Sequence, residues 1–256
     1  MDVFTAAILV AIGIVAGMIA SIVGGAAVIV YPAMIAVGIP PQAAAVANIV
    51  AIMPGTMLAA LSDRSQLPKF NRAFIHLIIA SIAGAVVGAM LLLLTPERTF
   101  NVIIPLLLGF ATLLLAFAER IGNWLRARAS RRGHDISFDV TSLKILLPVS
   151  VYGGYFGAGV GVLVLGVMML ATGGDYRSAN VAKNFLSSLN GLAAAVVFTV
   201  QGAVPWPETL MMMAGTISGG LLGAYLARVI PRGIMHVVVV TMGTILTVTF
   251  AWRYWF

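Results

Sequence analysis

The chain has 256 residues, 61% of them apolar and only 9% charged, with a formal net charge of +7 and a mean hydropathy of +1.07. A water-soluble globule carries about 25% charged residues, so these side chains cannot cover a solvated surface, and the composition points to an all-α polytopic membrane protein held in a lipid bilayer. The absence of cysteine excludes disulfides, thiolate metal sites and cysteine catalysis, and the three scattered histidines, His76, His134 and His236, offer no metal cluster.

In chain order, the apolar stretch 3–22 has neither a basic leader region nor a small-residue cleavage site, and it reads as a membrane segment rather than a secretory signal. Gly24 and Gly25 interrupt it inside "SIVGGAAVIVYP" (21–32), and a short apolar run follows at 26–37. A turn at Gly38 leads to three membrane-length helices, 42–61, 72–94 and 98–118. The segment 119–144 concentrates the basic residues and is expected to be a cytoplasmic linker, because such a run marks topology rather than a nucleic-acid surface. A second apolar stretch, 145–158, then breaks within "GYFGAGVGVLVLG" (154–166) and resumes over 160–172. Gly173-Gly174 and three more long helices, 178–198, 209–228 and 234–252, complete the chain.

The second half repeats the first. A shift of 136 positions aligns Gly17 with Gly153, Gly25 with Gly161, Asn48 with Asn184, Gly55 with Gly191 and Gly84 with Gly220. The expected organisation is therefore 1–118 as a first transmembrane repeat, 119–144 as linker and 145–256 as a second repeat. Each repeat holds a glycine-broken, re-entrant or discontinuous helix pair and three spanning helices. Lys and Arg favour the cytoplasmic side. Arg64, Lys69 and Arg72 fill the loop 62–72 of the first half, whereas its counterpart "QGAVPWPE" (201–208) has no basic residue. The asymmetry reverses at "TPER" (95–98) and "RVIPR" (228–232). This reversal favours inverted repeats over the alternative of two parallel copies.

Backbone exposed in hydrocarbon costs several kcal/mol, so a broken helix must face protein or a cavity. At each break a new short helix begins, with open amide N–H groups and a partial positive charge that suit an anion. Broken segments at corresponding places in two halves mark a transporter's binding site. The candidate substrate-binding residues are Gly24 and Gly25 at the first break and Gly157, Gly159 and Gly161 at the second. Asn48 and Asn184 lie on the helices that follow, and Asn180, Lys183 and Ser187 share a stripe with Asn184. Lys183 stands alone as a charge well inside a span. An intramembrane charge is a functional candidate, although a lysine this near a helix end can also snorkel to the interface.

"GMIASIVGGAAVIVYPAMIAVGIPPQAAAVANIVAIMPG" in the first half resembles the first signature of the TauE/SafE sulfite exporter family. "GGYFGAGVGVLVLGVMML" with "NVAKNFLSSLNGLAAAVVFTVQGAVPW" resembles the second. The resemblance implies about eight helices from a duplicated unit in a prokaryotic inner membrane. It also implies transport of small anions, often sulfur-containing ones such as sulfite or an organosulfonate. The chain departs from the family pattern where Ala26 and Ala27 follow the glycine pair and where Ala47-Asn48 replaces a common Thr-Ser. The resulting expectation is a secondary transporter, an exporter of a small anion, and not an enzyme. It would work by alternating access, with no cofactor or nucleic-acid partner. A coupling proton or ion and a homo-oligomer are both compatible with it. A non-transporting membrane scaffold or accessory subunit, and an anion channel, are the alternatives.

Overall fold

A computed structural model describes residues 3–22, 26–118, 120, 121, 123, 124, 127, 140–172, 175–226 and 232–255. Gly24, Gly25, the Gly173-Gly174 turn, Arg228 and most of the basic linker lie outside them.

Among the described residues all regular structure is helical. The first half contains α1 (Val3–Ile22), α2 (Ala27–Ala36), α3 (Pro41–Ser62), α4 (Arg72–Leu94) and α5 (Glu97–Ala116). The second contains α6 (Val140–Tyr155), α7 (Val160–Ala171), α8 (Tyr176–Val200), α9 (Trp206–Leu226) and α10 (Arg232–Trp255). Four of these, α3, α4, α5 and α8, are long and apolar enough throughout to cross a membrane. With 1.5 Å of rise per residue, the 10-residue α2 and 12-residue α7 reach only about half the hydrocarbon thickness.

Local chemistry sets the helix ends. Pro41 starts α3 where its missing N–H costs nothing. The Asn71 side chain accepts the Phe74 N–H at 2.8 Å to cap α4, and Asp175 caps α8 by accepting from the N–H groups of Arg177 and Ser178. At the second break Gly157 and Gly159 hold φ of +78° and +73°, a left-handed backbone that side chains oppose.

Small residues on the buried faces let the helices approach backbone to backbone, which replaces the hydrophobic drive that lipid cannot supply. On α4, Gly84, Ala85, Gly88 and Ala89 turn inward, while Ile79, Val87, Met90 and Leu94 face outward. α4 runs parallel to α6, with Gly84 against Leu147 and Ser150 and Gly88 against Val151 and Gly154. In the other half of the bundle α1 runs parallel to α9, Gly13 facing Met212 and Gly215, and Gly17 facing Thr216 and Gly220. α3 and α8 cross antiparallel at the centre, with Gly191 against Ile49 and Met53 and the Ser188 hydroxyl against the Met57 sulfur. α5 and α10 are also antiparallel: Gly109 faces Thr247, Gly243 faces Thr112, and the Trp255 indole donates to the Val102 carbonyl at 3.0 Å. Exchanging α1–α5 with α6–α10 maps each of these pairs onto another of the set or onto itself.

These backbone contacts generate a test. A methyl added at Gly88 would enter the Val151 carbonyl, whereas one added at Gly109 meets only the Thr247 methyl at 3.3 Å. Gly88→Ala should cost about 1–3 kcal/mol of overpacking and clearly lower the unfolding temperature in detergent, while Gly109→Ala should leave it near wild type. Equal effects of the two would contradict the close approach of α4 and α6.

Candidate functional site

Polarity inside the bundle is concentrated on α8. Lys183, two turns from the helix start, is 1% exposed, and Asn184 beside it is 3% exposed. Burial rules out the snorkelling alternative: the side chain runs inward across the bundle, and its Nζ lies 3.5 Å from the Ala20 carbonyl near the end of α1. Among the described residues the Lys183 amine meets no carboxylate. Among the described residues, Asp63 is committed to Arg177, Asp175 caps α8, Glu97 opens α5, and Glu208 lines a cavity at the opposite end of the bundle. Around the lysine, Asn180 and Asn184 each bury a carbonyl oxygen, and Ser187 a hydroxyl, that has no hydrogen-bond partner among the described residues. Removing an ion from water costs several kcal/mol unless something compensates it, and here one buried lysine and several orphaned polar groups share one region.

The second break lies elsewhere. Gly157 faces the first half, where a Cβ would come 3.1 Å from Ile49 and 3.8 Å from the Asn48 amide nitrogen, and Gly159 faces Ala111 of α5. Asn48 is 1% exposed with its carbonyl oxygen unpartnered. Gly161 is buried as the second residue of α7. The end of α1 thus meets Lys183 of the second half, and the turn before α7 meets Asn48 of the first.

The structure does not bring Asn48 and Asn184 together. α3 and α8 cross near Met53 and Gly191 in opposite directions, so the two asparagines lie on opposite sides of the crossing. At 1.5 Å per residue they are separated by roughly 15–20 Å along the bundle. The single site expected between the breaks is thus two polar regions. The sequence reading also passed over Tyr31, on α2, whose buried hydroxyl has no partner among the described residues and whose ring meets Phe156 edge-on at 5.3 Å.

The ends of the bundle differ as well. Above Lys183, Arg177 grips Asp63 with two bonds, 2.8 and 3.0 Å, and the Ser178 hydroxyl donates to the Gln66 carbonyl at 2.9 Å. These contacts tie the loop after α3 to the start of α8. At the opposite end Thr5, Gly38, Pro40, Ala43, Pro205 and Glu208 border a cavity of about 390 Å³.

A family model described as sulfite exporter TauE/SafE matches residues 9–250. The chain belongs to this family. It is similar to a probable membrane transporter protein of Haemophilus influenzae, at 26% identity over 94% of this chain and 92% of that protein. It is also similar to the probable membrane transporter protein ORF9 of a Sinorhizobium species, at 30% identity over 82% of this chain and 78% of that protein. The probable membrane transporter protein YfcA of Escherichia coli strain K12 is 23% identical over 84% and 78%. No solved structure matches the chain. It is a multi-pass membrane protein of a transporter family.

Within this TauE/SafE chain not every buried asparagine belongs to the polar regions. Asn190 donates its amide to the carbonyls of Ser81 on α4 and Ser150 on α6, at 3.2 and 3.0 Å, and so pins three helices together. Asn190→Leu should lower the unfolding temperature in detergent, since it strands two buried acceptors, yet leave the concentration dependence of any anion response unchanged. A variant as stable as wild type but altered in that dependence would move Asn190 into the site.

Proposed function

We propose that this chain exports a small oxyanion, such as sulfite or an organosulfonate, across a bacterial inner membrane by alternating access, with Lys183 as its charge-compensating ligand. The observation that carries this reading is the buried Lys183 side chain with no carboxylate partner among the described residues. In a low-dielectric interior the charged form of that amine calls for an anion. The side-chain N–H groups of Asn180 and Asn184 and the Ser187 hydroxyl, on the same helical stripe, would donate to the oxygens of that anion. The family description supports sulfite as the substrate and export as the direction.

Alternating access requires two halves that rock about a bound substrate. The antiparallel crossings of α3 with α8 and of α5 with α10 support an inverted pair of repeats, with 119–144 as the cytoplasmic linker between 1–118 and 145–256. The Arg177–Asp63 grip then ties α8 to the loop after α3 on the linker's side, and the cavity beside Glu208 lies toward the other.

Lys183→Met separates binding from folding. Because the substitution removes a lone buried charge, the unliganded variant should be at least as thermostable as wild type. At low millimolar sulfite, its stabilisation by the anion and its sulfite flux in proteoliposomes should fall at least tenfold. Wild-type flux from a folded Lys183→Met protein would overturn the assignment.

A further inference from the structure

The two ends of the α3–α8 crossing are built differently, although the internal repeat relates one to the other. We infer that the Arg177–Asp63 and Ser178–Gln66 contacts form a gate at the linker's end of the crossing, which parts to open Lys183 to that side. This inference rests on the alternating-access reading and extends it to the residues that control entry.

The first observation is what these contacts join. Asp63 and Gln66 follow α3 in the first half, and Arg177 and Ser178 open α8 in the second. The guanidinium donates to both Asp63 carboxylate oxygens, at 2.8 and 3.0 Å, and the Ser178 hydroxyl donates to the Gln66 carbonyl at 2.9 Å. Lys183 lies six residues further along α8, about 9 Å deeper at 1.5 Å of rise per residue. The tie thus stands at the end of the crossing nearer the buried lysine.

The second observation is the other end. The shift of 136 positions carries Arg177 to Pro41, Asp63 to Thr199, Ser178 to Gln42 and Gln66 to Gly202. Pro41 and Thr199 have no charges to pair, and the Gln42 amide turns to α4 instead of α8, donating to the carbonyls of Leu92 and Thr95 at 2.6 and 3.2 Å. Where the repeat would place a second tie, Pro40, Ala43 and Pro205 border the cavity of about 390 Å³. Equivalent ends, one tied and one hollow, are the asymmetry of a carrier closed at one side.

The tie is also built to break. Arg177 is 64% and Asp63 31% exposed, so water can replace their bonds and the pair holds weakly. Between the two ends, α3 and α8 meet through Met53, Met57, Ser188 and Gly191, and methionine tolerates sliding. Arg64, Lys69 and Arg72 share the loop that carries Asp63, so the gate stands at a basic end that draws anions toward it.

The chain has no cysteine, so a cysteine pair introduced at the gate reacts without background. In Asp63→Cys/Arg177→Cys, a short bismaleimide forms thioethers that sulfite does not cleave. In proteoliposomes the bridged protein should pass sulfite about tenfold more slowly than the same variant capped with N-ethylmaleimide, and bismaleimide should leave the flux of each single-cysteine variant unchanged. A second measurement reads the gate without flux. Adding Asp63→Ala to Ser187→Cys in detergent should speed N-ethylmaleimide labelling about fivefold with the unfolding temperature near wild type, since an exposed pair contributes little stability. Undiminished flux after bridging, or an unchanged labelling rate, would overturn the gate and leave the Lys183 site standing. No sulfite flux from folded wild type would overturn the transport reading and this inference with it.

Discussion

Hydrocarbon can solvate neither an ammonium ion nor an open peptide N–H, and this constraint organises the molecule. Every break in a membrane helix must meet protein, and every buried charge must meet a compensating group. The chain meets the first demand with protein on both sides: α1 and α2 pack on α3 and α6 and α7 on α8, while the Lys183 side chain reaches the end of α1 and Gly157 in the turn before α7 rests on Ile49 of α3. It does not satisfy the second. Among the described residues Lys183 sits beside one main-chain carbonyl at the limit of hydrogen bonding and has no carboxylate partner, which is the feature that turns a packing arrangement into a candidate transport site.

The interhelical contacts follow from the same constraint. Without a hydrophobic drive between helices, α1 with α9 and α4 with α6 depend on glycines that let carbonyls approach the facing backbone. These rows leave little freedom for local rearrangement inside each pair. The alternating exposure of Lys183 that the proposal requires would then be easier between pairs, at the α3–α8 crossing, where Met53 and Met57 lie against Gly191 and Ser188. Methionine adapts its shape at low cost, so the crossing suits sliding better than the glycine rows do.

Much of the fold was legible in the sequence, because membrane-length apolar runs and paired glycine breaks depend on local composition. Residues 3–22 form α1, and the run 26–37 contains α2. The expected spans differ from the observed helices by a few residues, where Pro41 and Asp175 set earlier starts. α6 begins at Val140 rather than at 145, because "VTSLK" (140–144) looks polar as a run but belongs to the helix. The site was less legible. Alignment by the 136-residue shift pairs Asn48 with Asn184 in sequence, but it says nothing of depth, and an antiparallel crossing sends equivalent positions to opposite sides. Nor does sequence distance tell a snorkelling lysine from a buried one; that depended on the Lys183 side chain turning inward to the end of α1. The Asp63–Arg177 grip joins residues 114 positions apart and left no local trace.

The central claim is that Lys183 binds the transported anion. Its most direct test is the structure of the protein equilibrated with selenite, an oxyanion that resembles sulfite and scatters anomalously. The account predicts an anomalous peak within hydrogen-bond distance, about 3 Å, of the Lys183 Nζ, with Asn184 or Ser187 beside it. A peak confined to other positions, with Lys183 extended into the headgroup region, would contradict it.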